Sequence, residues 1–227
     1  MQMKDLLSLR ALSRLLQYPD AELRENLLEM KPIVIALPKI SKSVEIGLNE
    51  LIQYLKTTDL YVLQEEYVEY FDRGRATSLH LFEHVHGDSR ERGQAMVDLL
   101  QTYKAGGLIL ATNELPDQLS IVLEFASTLE LAQSRQFIAE MEHILNSIYS
   151  ALVARQSRYA WVIAAAIEYS GEKVKILDLK IKDESIDETW AEPPAFGGCT
   201  TQGQGKPGDE QPLHFIQRAK DKQGVQA

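Results

Sequence analysis

Three histidines, His80, His84 and His86, stand around Glu83 in the run Ser78-Leu-His-Leu-Phe-Glu-His-Val-His-Gly87. On a helix His80 and His84 lie one turn apart, and two imidazoles at that spacing can share a metal ion. Such a site needs a third ligand, and the spacing is not the H-E-x-x-H of a zinc protease. Gly87 directly after His86 also stops any helix that would keep His86 in register. The expected role of the cluster is therefore hydrogen bonding within the fold or to a partner. Metal binding by His80, Glu83, His84 and His86 is the alternative.

Other chemistries find fewer residues. There is no G-x-S-x-G nucleophile elbow, and the single cysteine, Cys199, lies in a glycine-rich stretch without a positioned base. Gly197-Gly198 and the glycines at 203 and 205 neither follow a strand nor open a helix, as a phosphate loop would. Arg90 and Arg92 near a helix start can hold an anion, or pair with Glu83, Asp88, Glu91 or Asp98. Exposed pairs of this kind contribute about 0.3–0.5 kcal/mol each, so they serve specificity better than stability. No catalytic constellation is expected.

The elements that must position these residues read as helices throughout. Leu6, Leu9, Leu12 and Leu16 recur at helical spacing up to Tyr18-Pro19. Asp20 caps a second helix carrying Leu23, Leu27 and Met30, ahead of a proline-marked link from Lys31 to Lys39. Val44, Leu48, Leu51, Ile52 and Leu55 line a third helix; Asp59 caps a fourth with Leu63, Tyr67, Tyr70 and Phe71 inside and Glu65, Glu69 and Asp72 along an acidic edge. Asp88 and Glu91 have the spacing of a capping box, opening a helix that buries Met96, Leu99, Leu100 and Tyr103 and stops at Gly106-Gly107. Pro116 suits the first turn of the next helix. One longer helix runs from Phe137 to Leu152, and a short apolar one from Tyr159 to Ile167, closed by Gly171, belongs at the centre.

The expected architecture is an all-α, single-domain helical bundle over residues 1–172, followed by a mostly flexible tail over 173–227. Within the tail Val174 to Ile181 has no clear period, and Trp190, Phe196 and Phe215 are candidate docking points, the first two inside a segment 186–197. The chain holds 24 basic against 33 acidic side chains, a net charge of -9, which disfavours nucleic acid and anionic lipid and favours basic peptides. One cysteine permits no intrachain disulfide. The first apolar run is too short for a signal peptide and no run reaches membrane-span length, so a cytoplasmic protein without stable membrane insertion is expected. Exposed aromatics on an acidic helical domain allow a monomer or a weak dimer.

Tyr67-Val-Glu-Tyr-Phe-Asp72, followed by Ser78 to Met96 with its Ser-Leu-His-Leu-Phe-Glu-His-Val-His-Gly-Asp-Ser-Arg-Glu-Arg-Gly core, closely resembles the signature of the NarJ group, the assembly chaperones of respiratory nitrate reductase. Leu15 to Asp20 and Trp190 to Gly197 support the resemblance, which covers most of Leu6 to Phe196. Glu114-Leu-Pro-Asp117-Gln-Leu-Ser-Ile-Val-Leu123 is similar to the E-P-x-D-H-x-x-x-x-L motif of the wider TorD-like superfamily, with the proline shifted and Gln118 in place of the histidine. The resemblance implies an all-helical protein that is not an enzyme and holds no cofactor stably. It implies a chaperone that binds the apo catalytic subunit of the reductase, including its N-terminal segment. That subunit is held for molybdenum cofactor insertion before docking to the membrane, with cofactor-delivery proteins as further partners. A basic amphipathic peptide would then lie between the fourth helix and the block after Ser78. Its apolar face would meet Tyr67, Phe71, Leu81 or Phe82, and its charges Glu65, Glu69, Asp72, Glu83 or Asp88. His84, His86, Arg90, Arg92, Glu114 and Asp117 complete the expected partner-binding set.

Overall fold

A computed structural model describes residues 2–87, 89–111 and 114–178. Over these residues the chain is all-α: ten helices, a 3-10 turn at Arg75–Thr77 and no strand. The N-terminal half follows the caps written into it. α1 (Gln2–Leu15) precedes Pro19, and α2 (Ala21–Ile35) opens on Asp20, whose carboxylate accepts from Leu23 N at 2.7 Å. α3 (Lys42–Thr57) opens on Ser41 and buries Val44, Leu48, Leu51, Ile52 and Leu55. α4 (Leu60–Phe71) opens on Asp59 and buries Leu63, Tyr67 and Phe71. Each cap satisfies a donor the helix start leaves open and contributes about 1 kcal/mol. The link expected from Lys31 begins only after Ile35. Pro32 sits inside α2 on its exposed side, where the Leu28 carbonyl that loses its donor belongs to a residue 63% exposed, and fully buried Val34 keeps the last turn docked.

The remaining helices are α5 (Leu81–His86), α6 (Glu91–Ala105), α7 (Leu119–Ala126), α8 (Leu131–Ala139), α9 (Glu142–Ala154) and α10 (Ala160–Ser170). α10 is apolar on nearly every side and packs on α9, α8, α3 and α1, ending at Gly171 with φ 98°. α3 passes it at Gly47, where a Cβ would stand 2.1 Å from the nearest ring carbon of Trp161. The single helix expected from Phe137 to Leu152 is two, parted at Glu140–Met141. Apolar residues keep helical spacing on both sides of that break, so periodicity alone does not reveal it.

α6 differs most from expectation. Only Tyr103 is buried, whereas Val97 and Leu100 are 46% and 40% exposed. Its main helix neighbour is the short α5, and only its C-terminal end reaches a second small core with Ile121 and Phe125. Arg90 occupies the position before its first turn without a side-chain cap, and Asp88 lies outside the described residues.

Beyond Gly171 the described chain is neither helix nor strand. Lys175 N donates to Asn146 Oδ1 at 2.7 Å and Leu177 N to Ser150 Oγ at 2.9 Å, while Lys175 Nζ meets Glu142 at 2.8 Å. Glu142, Asn146 and Ser150 form one stripe of α9, successive turns apart. Cys199, Trp190, Phe196 and Phe215 lie outside the described residues. No described helix is long and apolar enough to cross a membrane.

Candidate functional site

Asp117 organises the histidine segment. It is 0% exposed, in the turn before α7. Its carbonyl accepts from Leu81 N at 3.0 Å, and its Oδ2 accepts from Phe82 N at 3.1 Å. These are the first donors of α5, so a carboxylate 35 residues downstream does the work of the N-cap that His80 does not provide. His80 instead donates from Nδ1 to Asp117 Oδ1 at 3.4 Å. Leu119 N donates to Leu79 O at 2.8 Å, and His80 and Gln118 form an isolated antiparallel bridge. Tyr103 OH donates to Pro116 O at 2.7 Å and fixes the turn from the α6 side. Pro116 is thus outside the helix it was expected to open: α7 starts at Leu119 because the residues before it are engaged with α5.

Arg92 closes the cluster. Its side chain is 18% exposed and its guanidinium stands 3.1 Å from Glu83 and 3.8 Å from Asp117. Burial alone would push the Asp117 carboxyl up. Hydrogen bonds from His80 and from Phe82 N, with the charges of His80 and Arg92, outweigh it and hold Asp117 below the ordinary 3.8. The hydrogen bond to Asp117 lifts His80 above 6.5 against the opposing effect of burial; Glu83 and Asp72 add to the negative field it feels, and Arg92 opposes it. The raised imidazole contributes stability in full below 6.5 and loses it as pH rises through its folded value; the depressed carboxyl contributes above 3.8 and loses it as pH falls through its folded value. The melting-temperature gap between wild type and His80→Gln is therefore expected to be widest between about pH 4.5 and 6.5 and to narrow above neutrality. A gap that stays constant from about pH 5.5 to 8.5 would count against a protonated His80.

The expected contact residues fall into three overlapping groups. His80, Glu83, Arg92 and Asp117 meet one another, and Leu81 and Phe82 join them through their backbone. Tyr67, Phe71 and Leu81 are 6%, 6% and 2% exposed, so their side chains lie beneath the surface. Tyr67 donates to Leu16 O at 2.8 Å, and its ring packs with those of Phe71 and Tyr159. The third group faces outward. Phe82, Glu83, His84 and His86 are half-buried, and Asp72, Arg90 and Glu114 are exposed. Asp88 falls outside the described residues. The imidazoles have separate partners: His84 donates from Nε2 to Ser78 O at 2.9 Å, and His86 lies 3.9 Å from Glu91 with its ring against Phe82. Among the described residues no three His, Cys, Asp or Glu side chains are grouped to hold a metal. The role of Tyr103 in fixing the turn escaped the reading of the sequence, because a tyrosine on an apolar stripe carries no signal of the Pro116 carbonyl it meets.

The family model described as nitrate reductase delta subunit matches residues 37–163, more than half of the chain. The nitrate reductase molybdenum cofactor assembly chaperone NarJ of Escherichia coli K12 is 40% identical over 187 residues, which cover 81% of this chain and 79% of that protein. NarW of the same strain, named a probable chaperone of the same kind, is 36% identical, with 80% and 76% covered. A probable NarJ of Bacillus subtilis is 32% identical, with 73% and 91% covered. The matched region contains the whole of the α5–α6 unit and the Asp117 turn that holds it. With that match and an all-helical fold, the chain belongs to the nitrate reductase delta subunit family, among its NarJ-like assembly chaperones rather than among enzymes.

Proposed function

We propose that the chain is a cytoplasmic chaperone for the apo catalytic subunit of a respiratory nitrate reductase. It binds that subunit in part through its N-terminal segment and keeps it open for molybdenum cofactor insertion. It delays docking to the membrane and leaves once the enzyme is mature. Its own residues do no chemistry; they hold the client and exclude premature contacts.

The observation that carries this reading is the α5–α6 unit. A buried carboxylate fixes the start of α5, yet the unit keeps Val85, Val97 and Leu100 at 52%, 46% and 40% exposure, with Glu83, His84 and His86 only half-covered. Apolar side chains held in place at a polar surface are what a client's amphipathic segment needs. The chain's charge of -9 favours a basic one and speeds its encounter. In cells lacking this protein, membranes are expected to contain the catalytic subunit at ordinary abundance but with little molybdenum and little nitrate reductase activity, both restored by adding the gene back. Normal molybdenum content in those membranes would overturn the proposal.

A further inference from the structure

A cleft of about 540 Å³ opens on the outer side of α4, with Tyr18, Tyr61, Glu65, Glu69, Tyr70 and Arg73 among its walls. Its geometry is fixed from below. Gln64 donates to Pro19 O at 2.8 Å, tying α4 to the turn that carries Tyr18, and the Tyr18 ring stands edge-on to buried Tyr67 at 5.5 Å.

Around this face the chain binds its own guanidinium groups in a repeated way. Arg155 reaches Glu69 at 3.0 Å and lies over the Tyr70 ring at 5.4 Å. Arg73 also reaches Glu69, at 3.2 Å. Arg158 lies over the Tyr54 ring at 4.1 Å, and Tyr54 in turn donates to Glu66 at 2.7 Å. Glu66, Glu69, Tyr54 and Tyr70 are thereby engaged. Glu65 has no hydrogen-bond or ionic partner among the described residues, and Tyr61, one helical turn before it, is 80% exposed. Tyr18 across the cleft is 48% exposed. One carboxylate and two rings thus remain, the set that binds a guanidinium through a charge-assisted hydrogen bond and a cation–π contact.

We infer that this cleft receives an arginine side chain presented by the client polypeptide, with Glu65 accepting from the guanidinium and Tyr61 and Tyr18 flanking its plane. The identity of the donor rests on the chaperone reading; the chemistry of the cleft does not. Arginine is favoured over lysine because a planar guanidinium can lie flat on a ring while its edge meets the carboxylate, and it is more weakly hydrated than an ammonium.

The test uses the full chain and small probes, so that it stands apart from the client. N-acetyl-arginine methylamide, its lysine counterpart and its citrulline counterpart are titrated while the tyrosine ring resonances are followed by NMR. The expected result is saturable shifts at Tyr61 and Tyr18 with the arginine compound, weakened about fivefold or more by Glu65→Gln and by Tyr61→Leu, both exposed positions. Equal shifts with citrulline or lysine, no shifts, or indifference to both substitutions would overturn it. If the arginine probe binds as expected but purified apo catalytic subunit does not associate with the wild-type chain, the cleft stands and the identity of its donor falls.

Discussion

Asp117→Ala is expected to lower the stability of the domain by roughly 3–5 kcal/mol, the usual effect of removing one partner from a buried charged cluster. In a thermal melt this is a drop on the order of 10 °C. The alanine leaves Phe82 N without its acceptor and deprives Arg92 and His80 of their buried carboxylate, at a position with no solvent exposure. Asp117→Asn keeps an oxygen for Phe82 N but no charge for Arg92 or His80, so it belongs between wild type and alanine. Because Asp117 sits beneath α5 and not on the surface, under the proposed function its loss is expected to weaken client binding indirectly, by unsettling α5. The far-UV signal of the remaining helices is expected to survive below the new melting temperature. An alanine variant that melts with wild type would show that the cluster is held by something other than this carboxylate.

The second large effect is at the crossing of α3 and α10. In a helix interior Gly→Ala alone gains about 1 kcal/mol from propensity, so Gly47 reads as a position to improve. The crossing reverses the sign: a Cβ there would stand 2.1, 2.3 and 2.3 Å from three ring carbons of Trp161, far inside contact distance. Gly47→Leu is expected to lose roughly 3 kcal/mol or more in chemical denaturation, because the indole has to leave its place or the two helices must part. A double-mutant cycle with Trp161→Ala separates the clash from the loss of glycine's flexibility. Much of the loss should be recovered when the ring is removed, and losses that simply add would show that the crossing is not what limits residue 47.

What was legible in the sequence is what neighbours in the chain decide. Asp20 and Asp59 each accept from a backbone N–H two or three residues on, as expected of helix caps, and α3 and α10 bury the residues that their spacing marks. The Asp117 junction was not legible, because the groups it joins are separated by 35 to 37 positions and neither end looks unusual alone. Family resemblance marked Glu114 to Leu123 as a motif, but only the fold shows that its aspartate is a remote cap for the histidine helix. Tyr67 and Phe71 were read both as the inner stripe of α4 and as contacts for a peptide; the helical spacing was the better guide, since both rings are buried and pack against Tyr159. In α6 the error ran the other way: its apolar residues have helical spacing, but its main neighbour is a six-residue helix, too small to cover them.

The remote cap also ties the order of folding to the readiness of the product. Six residues are too few to sustain a helix in water, since nucleation costs more than so short a segment returns. α5 therefore has no existence of its own: it forms only once the chain from residue 81 to residue 117 has closed on itself and α7 has docked. Closing such a loop carries an entropic cost that local contacts cannot offset, which places α5 among the late events of folding. A nascent or half-folded copy then has no ordered α5, so if α5 is part of the client surface as proposed, only a finished chain presents that surface.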